Sequence, residues 1–192
     1  YNELWSLYRK SDVTADGYIW DMYSTSKYTP GSDQCGSYSS IGDCYNREHS
    51  FPKSWFDDQS PMVTDAYHIY PTDGKVNGQR SNYPFGECAN GSYVASSGSV
   101  KALGRLGTST FSGYSGKVFE PDDQYKGDFA RSYFYMAAAY NSFIDDWNSA
   151  QLAGNSYPCF SDWSVNLLMK WHREDPVSEK EINRNEVVYS WQ

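Results

Sequence analysis

The chain has 192 residues, 24 acidic against 16 basic, and a formal net charge of −8. That length suits one large domain, the expectation here, or two small ones, and leaves room for a core that needs no covalent staples. A mean hydropathy of −0.73, with no apolar run near ~20 residues, argues against a membrane span, and the acidity disfavours a polyanion-binding protein unless positive charge is gathered locally.

Residues 2–11 place Leu4, Leu7 and Tyr8 at helical spacing and predict a helix. The chain starts directly on this segment, with no leader visible, as a processed N-terminus would. Residues 17–23 alternate like a strand, and 24–40, rich in Ser, Gly, Thr and Pro, read as loop. Ile41–Arg47 predicts a short strand, and Asp73–Ser81 a short helix with Asp73 as its N-cap. Residues 90–116 are Gly/Ser-rich, with apolar stretches at Tyr93–Ala95 and Val100–Leu106 that suggest strands with loose turns. Gly127–Phe143 sets Phe129, Ala130, Tyr133, Met136, Ala137 and Tyr140 on one stripe, which predicts a helix with a buried face. Ser164–His172 is also helical, and Asp175-Pro176 opens a last helix running towards Gln192. Helices at both ends of a small central sheet give an α+β chain.

Four cysteines without a CxxC, in Gly/Ser/Asn-rich surroundings, favour disulfides over a metal cluster. Of the three possible pairings, Cys35–Cys44 is favoured because it closes a small loop, leaving Cys88–Cys159; free buried thiols are the alternative. Disulfides imply a secreted or periplasmic setting.

The chemistry-bearing residues gather in 46–85. Glu48 and His49 are adjacent, and Asn77, Arg80 and Asn82 follow downstream. Histidine takes a proton, a carboxylate holds a hard cation, and an amide oxygen completes its shell, which are the parts of metal-assisted phosphodiester hydrolysis. In a straight strand Glu48 and His49 point to opposite faces, so they serve one site only where the strand ends. Asn77 and Asn82 read equally well as turn residues beside Gly74 and Gly78. Residues 74–119 hold five basic groups and one acid, an expected basic face on an acidic body. His68 and His172 read as structural, and the pairs Asp57-Asp58, Asp122-Asp123 and Asp145-Asp146 as solvated surface.

The runs NREHSFPKSWF (46–56), DAYHIYPTDGKVNGQRSNYPFGE (65–87), VFEPDDQYKGDFARSYFYM (118–136) and LLMKWHREDPVSEKEINRNEVVYSWQ (167–192) together resemble the bacterial endonuclease I family. The resemblance implies a single nuclease domain with a ββα-metal (His-Me finger) core at about 41–85 and a helical part at about 122–192. By position it makes His49 the general base, and Glu48 and Asn77 the ligands of one Mg²⁺, with Mn²⁺ or Ca²⁺ as substitutes. Arg47, Arg80 and Asn82 fall to phosphate contact or site support. Lys126 and Arg131, of the KGD-AR block, are expected at the substrate, with pairing to an acid as the alternative for Arg131, and Asp128 as a helix cap. The implied substrate is DNA, and RNA with it, cut to 5′-phosphate products, with no organic cofactor and no membrane. Two features depart from the family: the sequence stops at Gln192 where members often continue, and it is more acidic than a DNA-degrading enzyme is expected to be. A secreted carbohydrate-active or carbohydrate-binding protein, suggested by the aromatic and acidic composition, is the alternative, but it leaves the His49/Asn77 spacing unexplained.

Overall fold

A computed structural model describes residues 1–93, 96–154 and 156–192. Its elements are α1 (Leu4–Ser11), β1 (Tyr45–His49), β2 (Ile69–Asp73), α2 (Gly74–Arg80), β3 (Ser92–Tyr93), β4 (Gly104–Thr108), β5 (Lys117–Pro121), α3 (Lys126–Ala139), α4 (Asp162–Glu174) and α5 (Glu179–Trp191). β1 pairs antiparallel with β2, and β3, β4 and β5 form a three-stranded antiparallel sheet. The chain is α+β, as its sequence predicts.

The β1–β2 pair partitions two hydrophobic clusters. Cross-strand partners share a face of the pair, and neighbours along a strand alternate. Tyr45 and Ile69 lie on one face and pack with Leu4, Leu7 and Tyr8 of α1 and Val188 of α5. Tyr70 lies on the other and packs into the larger cluster around Phe129 and Phe85. Glu48 pairs with Tyr70, and His49 with Ile69. Residues 48 and 49 therefore leave the strand towards different halves of the molecule.

α2 forms where the sequence places it. The Asp73 carboxylate accepts from Val76 N at 3.0 Å, an N-cap, and also from Tyr28 Oη at 2.6 Å and Gly42 N at 2.7 Å. Two glycines in so short a helix would weaken it, but both are required by a close approach. A Cβ on Gly78 would lie 2.0 Å from Tyr38 Oη, and one on Gly74 would lie 2.7 Å from the Tyr38 ring. Their role is to admit Tyr38 against the helix, not to make a turn.

Several expectations are corrected. Residues 17–23 form no strand beyond the single bridge Val13↔Ile19. Ile19, Met22 and Tyr23 are buried, and Tyr23 N is satisfied by the Asp21 carboxylate instead of a ladder. β1 begins at Tyr45, not Ile41, because the Asp43 carboxylate accepts from the backbone of Ser39 and Ser40 and folds that stretch into a turn. The last helix starts after Ser178, which forms a capping box with Glu181. Asp175 instead accepts from Gly127 N at the start of α3. Asp128 caps nothing, lying inside α3 paired with Lys180. The expected strand at Tyr93–Ala95 falls mostly outside the described residues. Cys35–Cys44 is a disulfide. Cys88 and Cys159 are free buried thiols, not a pair. Each has its own packing: Cys88 Sγ sits against Gly91 and Gly107, while Cys159 belongs to the main apolar cluster. Burial pushes the Cys159 thiol up to about 11.

Asp73 ties β2, α2 and the loop at Gly42 together. Asp73→Ala removes the cap and strands further donors, so it is expected to cost about 3 kcal/mol. A lowered urea midpoint with an unchanged m-value would show this.

Candidate functional site

Glu48 is almost fully buried, and its Oε1 accepts from Tyr23 Oη at 2.7 Å and Arg80 Nη1 at 2.8 Å. Burial pushes its carboxyl up, while the Arg80 charge and the Tyr23 hydroxyl pull it back. Among the described residues no bond reaches Oε2. Asn77 sits one helical turn before Arg80, over the same strand. Its Nδ2 donates to Asn46 Oδ1 at 2.7 Å and to the Arg47 carbonyl at 3.4 Å. Both bonds use the amine side of the amide, which orients the group and leaves Oδ1 without a partner among the described residues. One anionic and one neutral oxygen are the donor set of a hard cation that keeps most of its shell as water or ligand oxygen, as Mg²⁺ does. Among the described residues no group of three or more His, Cys, Asp or Glu gathers as a closed alternative.

His49 occupies the last position of β1. Its Nε2 lies 3.1 Å from the Val63 carbonyl, which selects the tautomer protonated at Nε2 and leaves the Nδ1 lone pair as a base. Its ring stacks on Tyr1 with centroids 6.0 Å apart and meets His68 edge-on at 5.6 Å. Burial, then His68, lowers its pKa to about 3, although the Val63 contact opposes this. The ring is neutral at pH 7.

A family model for endonuclease I matches residues 1–192. The chain belongs to the endonuclease I family. It is 37% identical over 155 residues to an extracellular ribonuclease of Bacillus amyloliquefaciens, covering 78% of this chain and 48% of that protein. It is 32% identical over 200 residues to the extracellular ribonuclease of Bacillus subtilis, covering 98% of this chain and 61% of that protein. Endonuclease-1 of Buchnera aphidicola subsp. Acyrthosiphon pisum is 28% identical over 131 residues, covering 67% of this chain and 45% of that protein. The chain thus spans about half to three-fifths of the length of these relatives.

The other residues that endonuclease I resemblance brings forward divide sharply. Arg80 is a support, because its side chain is 1% exposed. Besides Glu48 it donates to the His49 carbonyl at 3.0 Å and the Ser50 carbonyl at 2.8 Å, so no part of it reaches a substrate. Lys126 is likewise spent on Glu120 and Asp123, and Arg131 on Glu181 in a bidentate pair. In the structure all three side chains are engaged in internal ion pairs, which for Arg80 is the site-support alternative. Arg47 lies between rings, 3.6 Å from the centroid of Tyr1 and 4.4 Å from that of Trp5, and donates to the Tyr1 carbonyl. Asn82 stays exposed, donating to Ser54 Oγ at 3.2 Å beside Trp55 and Asn148. The basic stretch 74–119 is thinner than its composition suggests, since Arg80 pairs with Glu48 and Arg105 with Glu120.

Tyr23, Asn46 and Val63 position the site but escape sequence reasoning. Asn46 alone had a signal, its place in the NREH block. Tyr23 and Val63 act from distant segments, Val63 through a carbonyl that any residue carries.

Two outcomes test these supports. Arg80→Met leaves Glu48 buried without its cation and is expected to cost about 3–5 kcal/mol, read by denaturant unfolding. Glu48→Gln in the same chain should recover part of it. His68, fully buried with Nε2 on the Met62 carbonyl and no partner for Nδ1, has its pKa lowered by burial to about 4. Its folded value lies below the unfolded one, so the unfolded chain binds the extra proton between the two. Stability is full above about pH 6.5 and falls towards pH 4, by up to ~1.4 kcal/mol per pH unit for one proton. His68→Gln should flatten that fall in unfolding curves measured across the range.

Proposed function

We propose that this chain is a secreted, Mg²⁺-dependent endonuclease that hydrolyses phosphodiester bonds of DNA and RNA to 5′-phosphate products without regard to base sequence. The observation that carries this reading is the fixed amide of Asn77. Its amine side is tied to Asn46 and the Arg47 carbonyl, and among the described residues nothing bonds its oxygen, on the helix over the strand that carries Glu48. The relatives named extracellular ribonuclease and endonuclease-1 point to the same chemistry, and the Cys35–Cys44 bond suits an oxidising compartment.

In this mechanism Nδ1 of neutral His49 removes a proton from the water that attacks phosphorus, while Val63 holds the ring through Nε2. Glu48 and Asn77 would hold the cation. A Mg²⁺ ion held there would supply Lewis-acid stabilisation of the charge that develops at the phosphate, a role Mn²⁺ or Ca²⁺ could share. Arg80 and Tyr23 favour the ionised form of Glu48 against the effect of burial and hold it in place. Arg47 and Asn82 are the residues of the segment left for phosphate and sugar, contacts that carry no base information and so give no sequence preference.

The test uses supercoiled plasmid and a structured RNA with Mg²⁺, with and without EDTA. EDTA should stop cleavage of both. His49→Ala should lower the rate by about 10²–10⁴-fold while DNA and metal binding persist. Asn46→Ala, which frees the Asn77 amide, should raise the Mg²⁺ needed for half-maximal rate roughly tenfold. Wild-type rates from His49→Ala would end the mechanism, and cleavage of RNA alone would remove DNA from the substrate class.

A further inference from the structure

A cleft of about 520 Å³ opens between α3 and α5 and shares no lining residue with the site built on Glu48, His49 and Asn77. Its size is that of a small-molecule site rather than a surface dimple. Tyrosines line it: Tyr67 and Tyr135 pack against each other, tilted by 45° with ring centroids 4.8 Å apart, and the Tyr70 ring lies under the Arg184 guanidinium. Val177 and Ile182 are exposed at its edge.

The charged groups of the cleft are matched internally. Arg131 pairs with Glu181, and Lys180, packed behind, pairs with Asp128 at 2.8 Å. Such a lining favours an uncharged ligand. Two polar groups remain open to one. Arg184 is 4% exposed and lines the cleft. Its Nε donates to Asp12 and its Nη2 to the carbonyls of Ala66 and Ile69. Nη1 has no protein partner among the described residues, although the rest of the guanidinium is fully engaged. Asn185, exposed on the next position of α5, offers an amide that no described residue engages.

A tyrosine wall, a neutral lining, one guanidinium donor and one donor–acceptor amide are together chemistry that can hold a nucleobase. A ring of that wall stacks on one face of the base, and an Asn amide matches the paired donor and acceptor on the edge of adenine. We propose that the α3–α5 cleft is a binding site for an adenine nucleoside, free or as one unit of a single strand. The nuclease reading bears only on where the base comes from; binding itself does not depend on it.

The experiment titrates adenosine into the full chain by calorimetry, in EDTA, and repeats it with a tetradeoxyadenylate. Saturable one-to-one binding is expected. Asn185→Ala should weaken it about tenfold, and Ile182→Arg, whose side chain would fill the cleft from an exposed position, should abolish it. Both variants should keep the wild-type unfolding midpoint and plasmid nicking rate. Tighter binding of the tetranucleotide assigns the site to a strand, and tighter binding of adenosine assigns it to the free nucleoside. No saturation up to about 10 mM adenosine, or equal affinity in both variants, overturns the proposal. Failure of the wild-type protein to cut either plasmid or structured RNA would sink the nuclease reading while leaving adenosine binding untouched.

Discussion

A single buried guanidinium fixes the geometry on which the rest of the site depends. Arg80 donates to Glu48 Oε1 and to the carbonyls of His49 and Ser50, and it lies over the ring of Phe85. Those carbonyls would otherwise need a neighbouring strand or water. By taking them, Arg80 ends β1 and sets its register against α2. Burying a charge is costly, and here a carboxylate, two carbonyls and a tyrosine hydroxyl meet it together. The helix that delivers Arg80 also presents Asn77, and it starts on the Asp73 carboxylate at the end of β2. Glu48, Asn77 and the strand end are thus one rigid unit.

Alternation along β1 then assigns the two chemistries to separate environments. Glu48 points into the larger cluster, where Tyr23 and Arg80 can hold an anion. His49 points to the side of α1, where a carbonyl and an aromatic ring hold a neutral imidazole. Had both side chains entered one pocket, the carboxylate would raise the histidine pKa and favour its charged form. Their separation keeps a base unprotonated next to a carboxylate in sequence. In the proposed reaction, the proton acceptor and the charge-stabilising oxygens approach the phosphate from two sides of the strand end.

What was legible in the sequence is what local chemistry decides. Asp73 as a cap, the short helix after it and the long helices of the C-terminal third follow from spacing and capping alone. Glu48, His49 and Asn77 were legible as residue types suited to one task. Their partners were not, since Tyr23 bonds to Glu48 across 25 positions and Tyr133 to the Ser50 carbonyl across 83. The strand expected at 17–23 failed for a related reason. Its alternation reflects burial against two clusters, while its N–H groups go to the Tyr28 and Asp12 carbonyls and, at Tyr23, to the Asp21 carboxylate, and pattern alone does not separate that from a ladder. For Arg80, Lys126 and Arg131 the sequence does not decide between phosphate contact and internal pairing, because a cation in sequence carries no mark of the carboxylate that the fold brings to it.

That pairing bears on how an acidic chain would hold a polyanion. Cations that might have faced phosphate are spent inside: Arg80 on Glu48, Lys126 on Glu120, Arg131 on Glu181, Lys180 on Asp128 and Arg184 on Asp12. Of the basic stretch 74–119, Lys75, Lys101 and Lys117 lie at the surface, and Lys117 is drawn over the Tyr83 ring. A protein that neutralises few phosphates gains little from counterion release. Affinity for a strand would then rest on the cation held by Glu48 and Asn77, and on stacking, which needs no charge. Among the described residues, Tyr1, Tyr157, Tyr189 and Trp191 expose rings that can stack on bases without any charge. Acidity and nuclease chemistry are therefore compatible, provided that positive charge is brought by the ion at the moment of catalysis instead of being spread permanently over the protein.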